Sequence, residues 1–258
     1  TNDMINKDAY LIEDLLSPEK VPTRDGFGKG LVDAGEKDDR VVVLCADLAE
    51  STRSHWFKEK FPDRYIEIGV AEQNMATIAA GLANYGKIPF ITSYAVFSPG
   101  RNNEQIRTTI SLNNLPVKIC GAHAGISVGP DGATHQALED IALMRVQPRM
   151  TVIVPCDAIE ARKATFVAAF LPGPVYIRFG REKSPVFTTE KTPFEIGKAI
   201  ILREGKDATI ISCGMLLYNA LIAAEELSKE GIEATVINSH TVKPLDIETI
   251  VNSIKETI

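Results

Sequence analysis

The sequence contains few cysteines and no pair of them at a metal-binding or redox spacing. Four cysteines occur among 258 residues, and none stands in a C-x-x-C arrangement, so neither a zinc site nor a dithiol motif is indicated. Three of them end apolar, strand-like runs and the fourth follows such a run. We therefore expect buried free thiols in a protein of the reducing cytoplasm.

Basic charge and long apolar runs are also scarce. Lysine and arginine number 28 against 34 aspartates and glutamates, which leaves a net charge of -6 and argues against general nucleic-acid binding. A small phosphorylated ligand is not excluded, because it needs only a few placed arginines. No apolar run is long enough to cross a membrane, and the acidic residues 1–20 lack the apolar segment of a signal peptide.

Short apolar runs alternate with helical patterns along most of the chain. Strands are predicted at 41–46, 64–68, 88–92, 117–122, 150–154, 175–179, 208–213 and 233–238. Helices are predicted at 24–36, 72–84, 103–112, 135–144, 158–170, 216–230 and 247–255. Several strands are apolar throughout, which is typical of strands covered on both faces. The alternation predicts an α/β fold with a parallel sheet and helices on both sides.

A stretch with prolines and charges interrupts this alternation between residues 185 and 205. We therefore expect an N-terminal extension over 1–22, a first domain over 23–187, a linker over 188–204 and a C-terminal α/β domain over 205–258. Only two strands are predicted in the last part, and two strands make a poor independent sheet. The C-terminal domain is accordingly expected to be short and apparently truncated.

An acidic residue follows one of the predicted strand ends. Glu72 opens a helix directly after a strand and the glycine at 69. In open α/β sheets, such strand ends form ligand crevices. A first-turn acid is also favourable at a helix dipole without any function, so its position alone does not assign Glu72 a role.

Aromatic and imidazole groups follow two further strand ends. Tyr94 and Phe97 come after the strand at 88–92, although isolated aromatics are more often core residues. Two of the four histidines, His123 and His135, flank Asp131 in a glycine-rich loop after the next strand. The loop lacks the cysteine or carboxylate pair that would complete a zinc site. A polar substrate loop is the better interpretation.

Two arginines mark the end of the strand at 175–179. Arg178 and Arg181 have the planar, forked side chain that suits a phosphate, although either alone could be a solvated surface residue. Because parallel strands end at one edge of a sheet, the carboxylate, aromatic, imidazole and guanidinium groups are expected to meet at that edge.

Four sequence blocks, in order, resemble the C-terminal subunit of split, two-chain transketolases. They are Gly-Val-Ala-Glu-Gln-Asn-Met at 69–75, Gly-Arg at 100–101 with Glu-Gln-Ile-Arg at 104–107, Asp-Gly-Ala-Thr-His-Gln-Ala-Leu-Glu-Asp-Ile-Ala-Leu-Met-Arg at 131–145, and His-Thr-Val-Lys-Pro-Leu-Asp at 240–246. The similarity runs from Thr23 to the end. It implies a parallel-sheet, thiamine-diphosphate-binding domain of the pyrimidine type, followed by a shorter α/β C-terminal domain.

The resemblance implies cofactor contacts at matching positions. Glu72 matches the catalytic glutamate that hydrogen-bonds N1′ of the cofactor's aminopyrimidine. Phe97 matches the aromatic residue that stacks on that ring, with Tyr94 as a second wall. Asp47 and Arg101 match further positions near the cofactor.

The resemblance also implies contacts with a sugar phosphate. His123 and His135 match catalytic histidines that touch the oxygens of the donor sugar, and histidines titrate in a useful range for that task. Asp131 matches a further contact with the sugar. The positions that would contact the substrate phosphate are Arg24, Ser51 and either Arg178 or Arg181, of which spacing favours Arg181.

The Gly-Asp-Gly and later Asn with which this family holds Mg²⁺ and diphosphate are absent from the sequence. The resemblance therefore implies that thiamine diphosphate and Mg²⁺ (or Ca²⁺) are held with a partner, the N-terminal diphosphate-binding subunit, and that this chain has no metal ligand. The two chains would form a cytoplasmic heterotetramer of the pentose phosphate pathway. It would move a two-carbon ketol unit from a ketose phosphate to an aldose phosphate.

Three alternatives are open at this point. One is a related thiamine-diphosphate enzyme, similar to deoxyxylulose phosphate synthase or to the beta subunit of a 2-oxoacid dehydrogenase. Another is a transketolase acting on an unusual ketose. The third is a catalytically idle homologue, which is disfavoured because Glu72, Phe97, His123 and His135 are all present.

Overall fold

The computed structural model describes residues 4–257. Its strands are β1 (Lys20–Pro22), β2 (Val41–Cys45), β3 (Tyr65–Glu67), β4 (Ile88–Tyr94), β5 (Lys118–Ala122), β6 (Thr151–Ile153), β7 (Val175–Arg178), β8 (Lys183–Pro185), β9 (Ile200–Arg203), β10 (Ala208–Ser212), β11 (Ala234–Asn238) and β12 (Thr241–Lys243). Its α-helices are α1 (Thr23–Lys37), α2 (Ala49–Thr52), α3 (His55–Lys60), α4 (Glu72–Asn84), α5 (Asn103–Gln105), α6 (Asp140–Arg145), α7 (Ala158–Ala169), α8 (Leu216–Lys229) and α9 (Ile247–Glu256).

Seven strands form the main sheet, in the order β12-β6-β7-β5-β4-β2-β3. Six of them run parallel, and β12 pairs antiparallel with β6. Strands β2, β4 and β5 are buried along their whole length, because one apolar cluster covers each face of the sheet. The predicted α/β fold with a parallel sheet is confirmed.

The order of the strands reverses across β2. From β2 the chain goes first to β3 on one side and then to β4 on the other. Loops that leave the two neighbouring strands β2 and β4 therefore diverge at their carboxyl ends, and such a switch point opens a crevice in α/β sheets. The segments after β2, β3, β4, β5 and β7 all emerge at this edge.

Helix α1 is held close to α7 on one face of the sheet. A Cβ atom at Gly26 would lie 1.9 Å from the carbonyl oxygen of Ala158, so only glycine permits this approach. At the start of α1, the Thr23 hydroxyl accepts a hydrogen bond from the Gly180 amide at 2.8 Å. This contact brings the first turn of α1 to the segment that follows β7.

A second, three-stranded sheet has the order β10-β11-β9. It packs against α8 through its own apolar cluster, which also includes Ala9, Leu11 and Leu15 of the N-terminal segment. The two predicted strands of this region are confirmed as β10 and β11. Strand β9 lies inside the segment expected to be a linker and adds a third, antiparallel strand, while the division of the chain into domains stays a prediction.

All eight predicted strands occur, whereas two helix predictions need correction. The helix predicted at 135–144 begins only at Asp140, because Gly125 donates a hydrogen bond to the Ala137 carbonyl and the chain is extended at Gln136, after the short turn Gly132–His135. The helix predicted at 103–112 begins as α5 and continues as a wider π-helical segment, Ile106–Ser111. Over the described part of the chain, no helix combines the length and the apolar character needed to cross a membrane.

Candidate active site

Glu72 is the first residue of α4, and only 1% of its side chain is exposed. The turn before it passes through Gly69 at φ +73°, a left-handed conformation that favours glycine. Arg101 Nη1 lies 2.8 Å from Glu72 Oε2. The side-chain amide of Asn102 donates to the Glu72 carbonyl oxygen at 3.1 Å. Because carboxylates are seldom fully buried unless they are paired, this burial distinguishes Glu72 from an ordinary first-turn acid.

A group of stacked rings follows β4 and β5. Tyr94 lies against His123 with ring centroids 4.0 Å apart and near Phe97 with centroids 6.0 Å apart. His135 meets the Phe97 ring edge-on at 5.3 Å, and the Arg101 guanidinium lies 4.7 Å from the same ring centre. Tyr94 also belongs to the core cluster, so its ring serves packing as well as the site. Together the rings form an apolar wall with cationic and imidazole edges.

His123 is buried and has φ +55°, which is uncommon for a residue other than glycine. Burial lowers the pKa of His123 to about 3, and the positive charges of Arg24, Arg181 and Arg53 add to the effect. The imidazole is therefore neutral at physiological pH and offers one donor and one acceptor. Its Nδ1 atom is buried without a hydrogen-bond partner among the described residues.

Arginines from separate segments surround His123. Arg24, in the first turn of α1, donates to the Ser51 carbonyl oxygen at 3.1 Å. Desolvation and the charge of Arg53 lower the pKa of Arg24, and the Arg181 charge acts in the same direction. These groups form a positively charged corner beside the stacked rings. Such a corner suits an anionic end of a ligand.

Arg178 and Arg181 have different surroundings. Arg178 Nε donates to Asp140 Oδ2 at 2.8 Å, and the Tyr176 hydroxyl donates to the same oxygen at 2.6 Å. Asp140 is buried. Arg181 instead forms an ion pair at 2.8 Å with Glu182, a side chain that is largely exposed. Arg178 is thus anchored to a buried carboxylate, whereas the partner of Arg181 is an exposed one.

Three other predicted residues lie around this cluster, and among residues 4–257 their side chains make no hydrogen bond to its groups. Asp47 is exposed at φ +57°, and its backbone amide donates to Glu67 at 2.8 Å. Ser51 takes part through its carbonyl oxygen and not, in the described structure, through its hydroxyl. Asp131 is exposed and precedes the short turn Gly132–His135. The structure brings the remaining predicted residues to one edge of the sheet.

Two residues of this region were not predicted from the sequence. Asn102 is fully buried and bonds both the Glu72 carbonyl and the Ser98 hydroxyl. Arg53 pairs with Asp25 at 2.6 Å. Asn102 directly follows Arg101, which was predicted to lie near the cofactor, so its position was a clue to its place in the site. Nothing in the local sequence indicates that Arg53 faces the first turn of α1.

The comparisons agree with this architecture. Residues 19–186 match the transketolase pyrimidine binding domain, and residues 197–258 match the transketolase C-terminal domain. The chain therefore belongs to the transketolase family. Within it, the chain is similar to a putative transketolase C-terminal section of Methanocaldococcus jannaschii, with 45% identity over 89% of this chain and 73% of that relative.

One further relative and one solved structure are also similar to this chain. The 6-deoxy-6-sulfo-D-fructose transketolase subunit SqwH of Clostridium sp. strain MSTE9 is 42% identical over 91% of this chain and 73% of the relative. A solved structure described as a split gene transketolase, inactive beta4 tetramer, superimposes with a TM-score of 0.85. It is 45% identical and covers 92% of this chain and 76% of its own. The chain thus resembles the C-terminal subunit of split transketolases.

Family membership implies thiamine diphosphate and a divalent metal, and the residues present fit one end of that cofactor. Glu72 Oε1 accepts no hydrogen bond from residues 4–257, and the rings of Tyr94 and Phe97 lie at the same edge. A free carboxylate oxygen beside aromatic surface suits an aminopyrimidine. For the metal, no group of three or more His, Cys, Asp or Glu side chains in the described structure is placed to hold an ion.

Proposed function

We propose that this chain is the pyrimidine-binding subunit of a split transketolase. With a diphosphate-binding partner, it would transfer a two-carbon ketol unit from a ketose phosphate to an aldose phosphate. The observation that carries the proposal is Glu72, a buried carboxylate at the switch-point edge with one oxygen held by Arg101 and the other available.

The role proposed for Glu72 is to hold a proton at the pyrimidine N1′ atom. Bound thiamine diphosphate would supply a nucleophilic carbon and an electron sink for the transferred unit. Arg101 holds Glu72 Oε2 in place, and Asn102 fixes the backbone from which the side chain projects. Phe97 and Tyr94 offer the pyrimidine an apolar surface and keep water from it.

The substrate side of the proposal rests on the histidines and arginines. His123 and His135 would bind the sugar oxygens and move protons there, because a neutral imidazole can both donate and accept. Arg24, Ser51 and Arg181 would bind the terminal phosphate, and Asp131 and Asp47 would contact sugar and cofactor. Arg178 supports the fold of the loop through Asp140, so the phosphate is assigned to Arg181.

The proposal includes a partner chain. Mg²⁺ or Ca²⁺ would be held by an N-terminal subunit, in a cytoplasmic heterotetramer of the pentose phosphate pathway; the lack of the Gly-Asp-Gly and Asn motif in this sequence supports that part of the proposal. The four cysteines, all free thiols, are compatible with that compartment. The relative described as an inactive beta4 tetramer is an assembly of one type of chain, and its inactivity supports a need for the other type.

A second candidate function is the transfer of a ketol unit from an unusual ketose. The similarity to a subunit named for 6-deoxy-6-sulfo-D-fructose favours it. The same Glu72 and ring cluster would serve either donor, and only the anion at the far end of the sugar would differ. Turnover of a ketose phosphate and of the corresponding sulfonate by the reconstituted pair would separate the two.

The main proposal is tested by Glu72→Ala in the reconstituted pair with thiamine diphosphate and Mg²⁺. We expect turnover to fall on the order of a thousandfold, as for loss of a positioned acid-base group, without loss of the fold. Glu248→Ala is the matched control, because Glu248 is an exposed first-turn acid of α9. Turnover of the Glu72 variant within about tenfold of wild type would contradict the assigned role.

A further inference from the structure

Three consecutive residues at the start of α1 hold three segments together. The Thr23 hydroxyl bonds the Gly180 amide at 2.8 Å, which brings the next residue of each segment, Arg24 and Arg181, to the same corner. Arg24 Nη1 then donates to the Ser51 carbonyl oxygen at 3.1 Å. The first turn of α1 therefore fixes where two of the proposed phosphate ligands lie.

The third of these residues, Asp25, brings another arginine to the corner. Arg53 Nε donates to Asp25 Oδ1 at 2.6 Å, and Arg53 Nη1 donates to the Glu50 carbonyl oxygen at 3.0 Å. The guanidiniums of Arg24 and Arg53 thus bond adjacent carbonyls of one short segment. Arg53 follows α2 at φ +67°, a left-handed conformation that terminates the helix there. Its Nη2 atom makes no hydrogen bond to residues 4–257.

Positive charge at this corner exceeds the negative charge that faces it. Asp25 pairs with Arg53, and the largely exposed Glu182 pairs with Arg181. The charge of Arg53 lowers the pKa of Arg24 and also that of His123. Arg24 Nε and His123 Nδ1 are buried without hydrogen-bond partners in the described part of the chain. Unsatisfied buried polar atoms in a cationic corner point to an anion that bonds them.

We propose that Arg53 is a specificity-determining residue of this site, which adapts it to a doubly charged terminal phosphate in preference to a singly charged sulfonate. The inference rests on the proposed function, which assigns Arg24, Ser51 and Arg181 to the same anion. With Arg53 present, the guanidiniums of Arg24, Arg53 and Arg181 are all close to the anion that would bind at this corner. The Coulomb attraction of this additional cation to a dianion is about twice its attraction to a monoanion at the same distance, so Arg53 favours the doubly charged group.

The first test uses the full chain and two simple anions, inorganic phosphate and methanesulfonate, at about pH 8, where phosphate is a dianion. Binding is measured by calorimetry or by NMR titration. For Arg53→Gln, we expect phosphate affinity to fall about tenfold and methanesulfonate affinity to fall less than about threefold. Arg53→Lys, which keeps the charge, should restore most of the phosphate affinity.

Arg149→Gln is the matched control. Arg149 also has a left-handed backbone, at φ +61°, and donates to a backbone carbonyl, that of Leu112, but it precedes β6 at the opposite edge of the sheet. Its substitution should leave both affinities unchanged. Phosphate affinity of Arg53→Gln within about twofold of wild type, or equal losses for the two anions, would overturn the proposal.

Asp25→Asn keeps the proposal testable if Arg53→Gln does not fold. Loss of the carboxylate charge leaves Arg53 without its counter-ion, so phosphate should bind severalfold more tightly. Unchanged or weaker phosphate binding in a folded Asp25→Asn chain would contradict the inference.

Kinetics of the reconstituted pair separate this inference from the proposed function. In Arg53→Gln, KM should rise more for a ketose phosphate than for the same ketose without phosphate. Phosphate binding that depends on Arg53 in a pair that transfers no ketol unit would refute the proposed function alone. Ketol transfer with equal KM values in Arg53→Gln and wild type would refute only the role of Arg53.

Discussion

Two arginines only three residues apart, Arg178 and Arg181, lie in unlike environments at the end of β7. Arg178 shares the buried carboxylate of Asp140 with the hydroxyl of Tyr176. Within residues 4–257, the hydrogen bond of the Arg181 side chain goes to the largely exposed Glu182. The local sequence gives both residues the forked side chain that suits a phosphate, with spacing in favour of Arg181, and the contacts of each residue show how their surroundings differ.

We expect opposite consequences when each arginine is removed. Arg181→Ala should raise KM for a phosphorylated donor more than it lowers kcat, because a binding contact is lost. Arg178→Ala should instead lower the free energy of unfolding by about 3 kcal/mol, since it leaves a buried carboxylate without its cation. Steady-state kinetics and urea unfolding of both variants check this. A raised KM for Arg178→Ala with normal stability would exchange the two roles.

Sequence reasoning located residues that follow a strand end and missed those placed by tertiary contact. Glu72, Phe97 and His123 could be predicted because the carboxyl ends of parallel strands meet at one edge. Arg53 could not, because its position depends on an ion pair with a residue 28 positions earlier. Asp131 is exposed, and its contact with the sugar stays a prediction, whereas His135, predicted from the same loop, lies against the Phe97 ring.

At the scale of elements, the start of α7 connects the two sheets. Asp157 caps this helix by accepting from the Glu160 amide at 2.9 Å, and it also accepts from the amides of Phe187 and Thr188 after β8. The side chain of Glu160 accepts a hydrogen bond at 2.6 Å from the side-chain amide of Asn238, the last residue of β11. All these groups are buried. A single buried turn therefore fixes the segment after β8 and the second sheet.

Asp157→Ala should lower the free energy of unfolding by about 3 kcal/mol or more, because it removes a helix cap and leaves buried amides unsatisfied. Asp246→Ala is the comparison, since Asp246 caps α9 but serves fewer buried donors. Asp246→Ala should lower the free energy of unfolding by about 1–2 kcal/mol. Chemical unfolding gives both values. Equal costs for the two caps would show that the contacts after β8 add nothing.

The elements themselves were largely predictable, and the exceptions have identifiable physical causes. Continuous apolar runs identified β2, β4 and β5 because both of their faces are covered. Strands β1, β8, β9 and β12 were missed because each is short and forms only by pairing antiparallel with a strand far along the chain. The helix expected from 135 starts late because the Ala137 carbonyl accepts a hydrogen bond from the Gly125 amide and the chain is extended at Gln136.

At the scale of the whole molecule, buried histidines connect stability to pH. Burial lowers the pKa of His123 to about 3 and that of His240 to about 4, whereas an unfolded histidine titrates near pH 6.5. The unfolded chain therefore binds more protons below that pH. The stabilisation from each neutral histidine is fully present above about pH 6.5 and is lost as the pH falls toward the folded value.

Each such histidine should contribute a slope of up to about 1.4 kcal/mol per pH unit between about pH 6.5 and 4.5. Burial raises the pKa of Glu160 to about 7, and this changes the stability in the opposite direction over the same pH range, so variants are needed to isolate one group. His123→Gln should have a shallower slope than wild type. His55→Gln, outside the ring cluster, is the control. Equal slopes for wild type and His123→Gln would contradict the buried, neutral state.

The most direct test of the account is the rate at which the C2 proton of thiamine diphosphate exchanges with deuterium in the reconstituted pair. Rapid-quench NMR of wild type and Glu72→Gln gives this rate without any sugar present, so the substrate residues do not enter. The account predicts exchange slower by about a hundredfold or more in the variant, because the carboxyl that acts on the pyrimidine is gone. Equal exchange rates, with the cofactor bound in both proteins, would contradict it.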